Sequence, residues 1–277
     1  MNQAAAPILQ RELELTDRDF HRIRSLIADR AGIVLAEHKR DMVYSRLGRC
    51  IRQRGLRRFG DYLTLLESER GGAAWQEFVN ALTTNLTAFF RESHHFELLT
   101  EHLRGRKGAV RIWSAGASTG EEPYSIAMTM AETLGPGVQG EVFATDIDSE
   151  ALARARLGIY PVDQVRRQVG DERLRRYFQK GSGARAGFAR VRPELAQSVC
   201  FEQLNLIGPQ WDLKQRFDAI FCRNVMIYFD RPTQTRLLER FAPLLKSDGL
   251  LFVGHSESFT HITQKFRLRG KTVYTLA

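Results

Sequence analysis

From Val110 onward, short apolar runs alternate with helix-patterned segments, and this alternation constrains the fold more than any other feature. VRIWSAG precedes SIAMTMAETL, EVFATDID precedes SEALARARLG, and FDAIFCRNVMIYF precedes TQTRLLERFAPLL and then GLLFVGHS. Strands alternating with helices predict an α/β domain with a mainly parallel sheet covered on both faces. The closing FRLRGKTVYTLA reads as a hairpin around Gly270-Lys271. About forty residues between the helix ending near Leu157 and the strand SVCFEQL exceed a minimal βα repeat. They hold a Gly-rich turn, GSGARAG, beside a β-like FARVR, and predict an inserted small antiparallel β-subdomain over residues 160–197.

Upstream the texture is helical, and residues 1–82 read as a small helical domain. Thr16 and Asp17 precede Phe20, Ile23, Leu26 and Ile27; Gly60 and Asp61 precede Tyr62, Leu65 and Leu66. Each set reads as a cap before an apolar stripe. The segment Lys39 to Arg58 carries Lys39, Arg40, Arg46, Arg49, Arg52, Arg54, Arg57 and Arg58 against one acid, Asp41. On a helix Val43, Leu47, Cys50 and Ile51 share a face, with Arg49 and Arg52 opposite. A solvated helix face is the plain reading, and a docking face for an acidic partner is the alternative. The net charge of +9 fits a polyanionic partner without choosing among nucleic acid, membrane and protein.

No run approaches the roughly 20 apolar residues that cross a bilayer. MNQAAAPILQRELELT has neither the basic n-region nor the apolar h-region of a secretory signal. An intracellular, cytoplasmic protein is expected. Cys50, Cys200 and Cys222 have no zinc spacing and read as buried thiols. His94 and His95 are adjacent, so on a helix they diverge by about 100°. They read as helix-surface histidines, and no metal is expected.

The residues that suggest chemistry lie where strands end. The first strand runs into Gly116-Ala117-Ser118-Thr119-Gly120-Glu121-Glu122-Pro123 and then a helix. Glycines there let a ligand approach the backbone, although a plain tight turn is the competing reading. The pattern is neither a Walker loop nor GxGxxG. Glu121 and Glu122 at the helix start would repel a pyrophosphate and attract an ammonium. Asp146 ends the second strand, where an acid in α/β nucleotide sites bonds ribose hydroxyls; Asp148 or Ser149 reads as the next helix cap. Asn205 and Leu206 follow SVCFEQL and could edge and cover an adenine. Arg223 and Asn224 interrupt an apolar run, and a buried guanidinium is costly unless paired, so a structural ion pair is the alternative to a ligand contact.

TNLTAFFR (Thr84 to Arg91), WSAGASTGEEPYSIAM, ATDID, LNL, FDAIFCRNVMIYFD, GLLFVGHSES and LRGKTVY, in this order, closely resemble the CheR family of chemoreceptor glutamate methyltransferases. The resemblance runs from about Thr83 to the C-terminus. It implies a Rossmann-like class I S-adenosylmethionine methyltransferase domain over 96–277, with residues 83–95 a linker contributing to the cofactor site. It implies cofactor contacts at Asn85, Thr87, Arg91, Glu122, Asp146, Asn205, Leu206, Arg223 and Asn224, and S-adenosyl-L-homocysteine as product. Glu122 would meet the methionyl ammonium, Asp146 the ribose, and Asn205-Leu206 the adenine. Arg91 and Tyr228 would be the catalytic, substrate-side groups; a core aromatic is the plain reading of Tyr228.

The resemblance also supplies partners. Glutamate-rich receptor helices suit a docking face made by Lys39, Arg40, Arg46, Arg49 and Arg52. Some family members hold a receptor C-terminal tail peptide on the inserted subdomain, and FARVR would accept it by edge pairing. A monomer acting on the cytoplasmic signalling region of chemoreceptors is expected, with no nucleic acid and no membrane insertion. A nucleic-acid methyltransferase is disfavoured because RNVMIY lacks the Asn/Asp-Pro-Pro-aromatic pattern, and the basic segment lacks stacking aromatics. A non-catalytic adaptor is disfavoured by the retained Arg91, Glu122, Asp146 and Tyr228.

Overall fold

The computed structural model describes residues 13–69, 71–259 and 262–277. Most of the stretch read for a secretory signal, up to residue 12, lies outside the described residues. The chain forms two compact units, the first ending at Leu82 and the second spanning Thr83–Ala277.

The first unit contains α1 (Asp17–Ala31), α2 (Arg40–Gln53), α3 (Phe59–Ser68) and α4 (Ala73–Leu82). Thr16 opens α1 through a capping box with Asp19, satisfying two helix-end amides at once, and Gly32 closes it at φ 72°. Phe20, Ile23 and Ile27 of α1 are buried, as are Val43, Leu47 and Ile51 of α2. Gly60 and Asp61 do not start α3. The helix begins one residue earlier, behind an extended Arg58, because Phe59 is itself fully buried.

The second unit opens with residues 83–93 and α5 (His94–Leu103), then alternates strand and helix: β1 (Val110–Ala115), α6 (Glu121–Thr133), β2 (Gly140–Asp146), α7 (Ser149–Leu157). An insertion follows: β3 (Ile159–Pro161), α8 (Val162–Tyr177), β4 (Phe178–Lys180) and β5 (Phe188–Val191). The main fold resumes with α9 (Pro193–Ala196), β6 (Val199–Gln203), β7 (Phe217–Cys222), α10 (Arg231–Phe241), β8 (Leu245–Val253), β9 (Phe266–Gly270) and β10 (Val273–Leu276). The large sheet runs β6-β2-β1-β7-β8-β10-β9. Its first five strands are parallel, and β10 and β9 close it antiparallel. Every residue of β7 is buried, as expected for a strand sandwiched between two layers. Chain order reverses between β1 and β7, so the ligand crevice of such a sheet falls at their carboxyl ends.

Three expectations change. The run FDAIFCRNVMIYF is not one interrupted strand: β7 stops at Cys222, and Arg223 and Asn224 lie beyond its carboxyl end. FARVR is not an edge strand, because β5 sits at the centre of the antiparallel sheet β3-β5-β4. The insertion also contains α8, whose half-charged sequence and break at Gly170 (φ 82°, ψ 168°) hide its periodicity. No helix among the described residues is long and apolar enough to cross a membrane.

Candidate active site

The turn after β1 brings α6 to the crevice, and its glycines answer to the protein's own packing. A Cβ on Gly116 (φ 119°) would collide with Val225, just past β7, and one on Gly120 (φ 99°) would come within 2.9 Å of Ala155. Both glycines permit close approach of chain to chain. Glu121 and Glu122, in the first turn of α6, are both buried. Thr119 Oγ1 donates to Glu121 at 2.6 Å. Burial pushes the Glu122 carboxyl upward, opposed by Arg223 and by Ser114. Ser114 Oγ donates to it at 2.8 Å and Arg223 at 3.0 Å.

Arg223 is the electrostatic pivot of the crevice. Its side chain is 1% exposed and is flanked by two carboxylates, Glu122 at 3.0 Å and Glu92 at 3.2 Å. It also donates to the Arg91 carbonyl. The guanidinium that looked anomalous in an apolar run is thus held in an ion-pair triad, which makes its burial tolerable. Glu92 was not singled out from the sequence. It sits at φ 57°, in the left-handed region, and is also 3.1 Å from His255 Nδ1. Burial raises the Glu92 pKa, but His255 and Arg223 outweigh it and hold the carboxyl down to about 2.

Asp146 ends β2, and its carboxylate accepts from Ser118 N–H at 2.7 Å and Asp148 N–H at 2.9 Å, with the Ile147 amide adding a third hydrogen bond. Burial pushes its pKa up against those hydrogen bonds. Asp148 caps α7 by accepting from the amides of Glu150 and Ala151, and its other oxygen accepts from Thr83 at 2.6 Å and Asn85 at 2.7 Å. The cap therefore anchors residues 83–85 beside the crevice, while Ser118 Oγ donates to Asn85 at 3.3 Å. Thr87 is half-buried two residues further on. Beyond β6, Asn205 accepts from the Ile207 amide at 3.1 Å, and the buried Leu206 has its carbonyl held by Arg240.

On the other side of Arg223, Asn224 adopts φ 58° and leads into a 3-10 turn, Met226–Tyr228. Tyr228 is half-buried, and its hydroxyl has no hydrogen-bond partner among the described residues. Arg91 donates to the Leu86 carbonyl at 3.0 Å, bracing residues 86–91. Glu257, also absent from the sequence-based set, is 4% exposed and accepts from the amides of Asn224 and Ile227. Its sequence signal is slight: an acid three residues past the glycine that ends an apolar strand.

Elsewhere the structure corrects two readings. His95 is fully buried, not on the helix surface, because it shares the inner stripe of α5 with Leu99 and Leu103. Donor atoms of Glu92, His94 and His95 lie within 4.8 Å of one another, but the Glu92 charge there is already met by Arg223 and His255. Cys50 and Cys222 are buried, whereas Cys200 is exposed on the edge strand β6.

In the first unit, Arg40 pairs with Asp17 at 2.8 Å and Arg46 donates to the Ala81 carbonyl at 3.3 Å, so both contribute to holding the helices together. Lys39, Arg49 and Arg52 are exposed.

Two families match the chain: CheR methyltransferase, all-alpha domain, over residues 18–83, and CheR methyltransferase, SAM binding domain, over residues 85–275. The chain is 59% identical over 267 residues to the chemotaxis protein methyltransferase of Escherichia coli (strain K12), covering 96% of this chain and 93% of that one. It is 56% identical over 271 residues to the Salmonella typhimurium chemotaxis protein methyltransferase, covering 97% and 93%. It is 51% identical over 272 residues to chemotaxis protein methyltransferase 2 of Pseudomonas aeruginosa, covering 96% and 95%.

Proposed function

The chain belongs to the CheR family of S-adenosylmethionine-dependent chemotaxis methyltransferases, and we propose that it esterifies glutamate side chains in the cytoplasmic signalling region of chemoreceptors. The observation that carries this reading is the crevice between β1 and β7, where buried acids and one triad-held guanidinium converge at the start of the turn that carries Tyr228. The donor set fits the cofactor. A carboxylate offers about four lone-pair positions, and the backbone amides that Asp146 accepts leave room for a ribose hydroxyl. Glu122 matches the methionyl ammonium, and Asn205 with Leu206 offers a polar edge and an apolar cover to adenine. Asn85, Thr87, Arg91 and Asn224 complete the contact set, and Arg223 holds Glu122 in place.

When bound, S-adenosylmethionine supplies an electrophilic methyl group on a sulfonium. A free glutamate has a pKa of about 4.3 and is already a carboxylate at neutral pH, so no protein group need remove a proton. The work left to the chain is placing the acceptor oxygen in line and excluding water. Arg91 can hold the carboxylate through parallel hydrogen bonds, and the unpartnered Tyr228 hydroxyl is free to orient one of its oxygens.

The test is incubation with methyl-labelled cofactor and full-length chemoreceptors in vesicles. Base-labile methyl ester on the receptor is expected, with Tyr228→Phe cutting turnover roughly 10- to 100-fold while cofactor affinity holds. Label that survives mild base would refute ester formation, and a fully active Tyr228→Phe would refute the tyrosine's role.

Two finer elements of the reading concern partners. The exposed arginines of α2 dock acidic receptor helices, and the insertion tethers a receptor tail peptide. FARVR is already paired on both sides, so the tail must use an outer strand. Pro161 removes an outward donor from β3, which leaves β4 as the open edge.

A further inference from the structure

The turn that follows β7 carries Arg223, Asn224 and Tyr228, and only Met226–Tyr228 within it is helical. Its amides converge on one carboxylate. Glu257 Oε2 accepts from Asn224 N–H at 3.0 Å and from Gly254 N–H at 2.5 Å, and Oε1 accepts from Ile227 N–H at 3.2 Å. The carbonyl side of the same turn is held from α10, where Gln234 donates to Met226 at 2.9 Å and to Phe229 at 3.1 Å. The carboxylate thus ties the end of β7 to the end of β8, one strand over.

Three observations set Glu257 apart from an ordinary loop acid. It is 4% exposed, with no salt-bridge partner among the described residues, so amide dipoles alone meet its charge. Asn224 is kept at φ 58°, in the left-handed region that few non-glycine residues adopt. Gly254 leaves room for nothing larger: a Cβ there would crowd Asn224 and stand 2.9 Å from Glu257 Oε2. Burial pushes the Glu257 carboxyl upward, against the hydrogen bonds from Gly254, Asn224, Ile227 and Met226. The arrangement is an anion-holding nest of amides occupied by the chain's own side chain.

We infer that Glu257 is a positioning residue for methyl transfer, fixing the Asn224–Tyr228 turn so that the Tyr228 hydroxyl meets the acceptor carboxylate. It acts through Tyr228 and touches neither cofactor nor receptor. The inference rests on the role of Tyr228 proposed above. Loss of the carboxylate turns one acceptor into an amide N–H facing other N–H groups, and a turn displaced by about 1 Å is enough to slow a positioned reaction on the order of 10²-fold.

The experiment compares Glu257→Gln, Gly254→Ala, Tyr228→Phe and the Glu257→Gln/Tyr228→Phe pair on receptor vesicles, with calorimetric titration of S-adenosylmethionine. Glu257→Gln is expected to lower kcat roughly 10- to 100-fold while the receptor KM moves less than about threefold, and any rise in cofactor Kd, through Asn224 on the same turn, stays smaller than the kcat loss. In the Tyr228→Phe background the same change should cost less than about threefold more, because the group it positions is gone. Gly254→Ala crowds the hub without touching the charge and should reproduce the kcat loss, so the inference stays testable if Glu257→Gln does not fold. An unimpaired Glu257→Gln or Gly254→Ala, or a Glu257→Gln penalty undiminished by Tyr228→Phe, overturns the inference. Wild-type turnover separates the two readings: no ester from the wild type sinks the proposed function, whereas normal wild-type turnover beside an unimpaired variant sinks only the role of Glu257.

Discussion

His95 shows how a buried titratable group can be written in a sequence and still be passed over. Its neighbour His94 is partly exposed, and a pair of adjacent histidines reads first as surface. The inner stripe was nonetheless legible, since His95 stands four residues before Leu99 and eight before Leu103 on α5. What could not be read is its partner: Nε2 lies 3.1 Å from the Lys271 carbonyl, brought there by the final hairpin. Burial and the nearby Arg223 charge push the His95 pKa down to about 4 from the usual 6.5. A base depressed on folding keeps its stabilising effect above the unfolded value and loses it as pH falls towards the folded one. The unfolded chain therefore binds the extra proton between pH 6.5 and 4. Glu92, depressed to about 2, adds its own loss only below about 4.5. Relative to His95→Gln, the wild type should lose up to about 3 kcal/mol of unfolding free energy as pH drops from 6.5 to 4. Denaturant unfolding across that range reads it directly, and parallel curves for the two proteins would show that His95 does not titrate as described.

The elements themselves were the most legible level, and their pairing the least. Each run of the βα alternation holds a strand or a helix, although FDAIFCRNVMIYF is a strand only as far as Cys222, and the hairpin at Gly270-Lys271 forms with Lys271 and Thr272 both at positive φ. FARVR was rightly a strand, but alternation along one segment says nothing of how many neighbours it has. The register now does. Gly181 N–H bonds the Phe188 carbonyl and Arg192 N–H the Tyr177 carbonyl, so the amides of Phe178 and Lys180 point away from β5. On β3 the outward groups belong to Ile159 and Pro161, and proline has no N–H to give. A tail peptide pairing with β4 would need the Lys180 donor. Lys180→Pro removes that donor where proline is tolerated, on the solvent edge of a sheet. Titration of the full-length chain with receptor tail peptide should show at least about tenfold weaker binding, the loss of a main-chain hydrogen bond plus a side-chain charge. Methylation of a receptor lacking the tail should be unaffected. Equal affinity for Lys180→Pro and wild type would place the peptide elsewhere.

At the scale of the whole molecule, chemistry and charge are divided between the two units. The second holds the crevice, built from contacts that span the chain: Glu122 and Arg223 are paired across more than a hundred residues, a connection no local pattern encodes. The first concentrates exposed cations along α2 and the turn after it. Arg40 and Arg54 are spent on Asp17 and Glu77, whereas Arg49, Arg52, Arg57 and Arg58 are exposed and have no ion-pair partner among the described residues. Against an acidic receptor helix, such charges act mainly on the encounter rate, and their reach shrinks to about 8 Å at physiological salt. The kcat/KM for receptor methylation should therefore fall as salt rises. Arg49→Ala/Arg52→Ala should lower it roughly 3- to 10-fold at low salt and flatten its salt dependence, with the cofactor Kd unmoved because the SAM binding domain is matched by residues 85–275, outside the helical unit. Arg40→Ala serves as the contrast: it removes the Asp17 pair and should show mainly as reduced stability of the helical unit. A salt-independent wild type, or a double variant with the wild-type slope, would mean that the basic face of α2 is only a solvated surface.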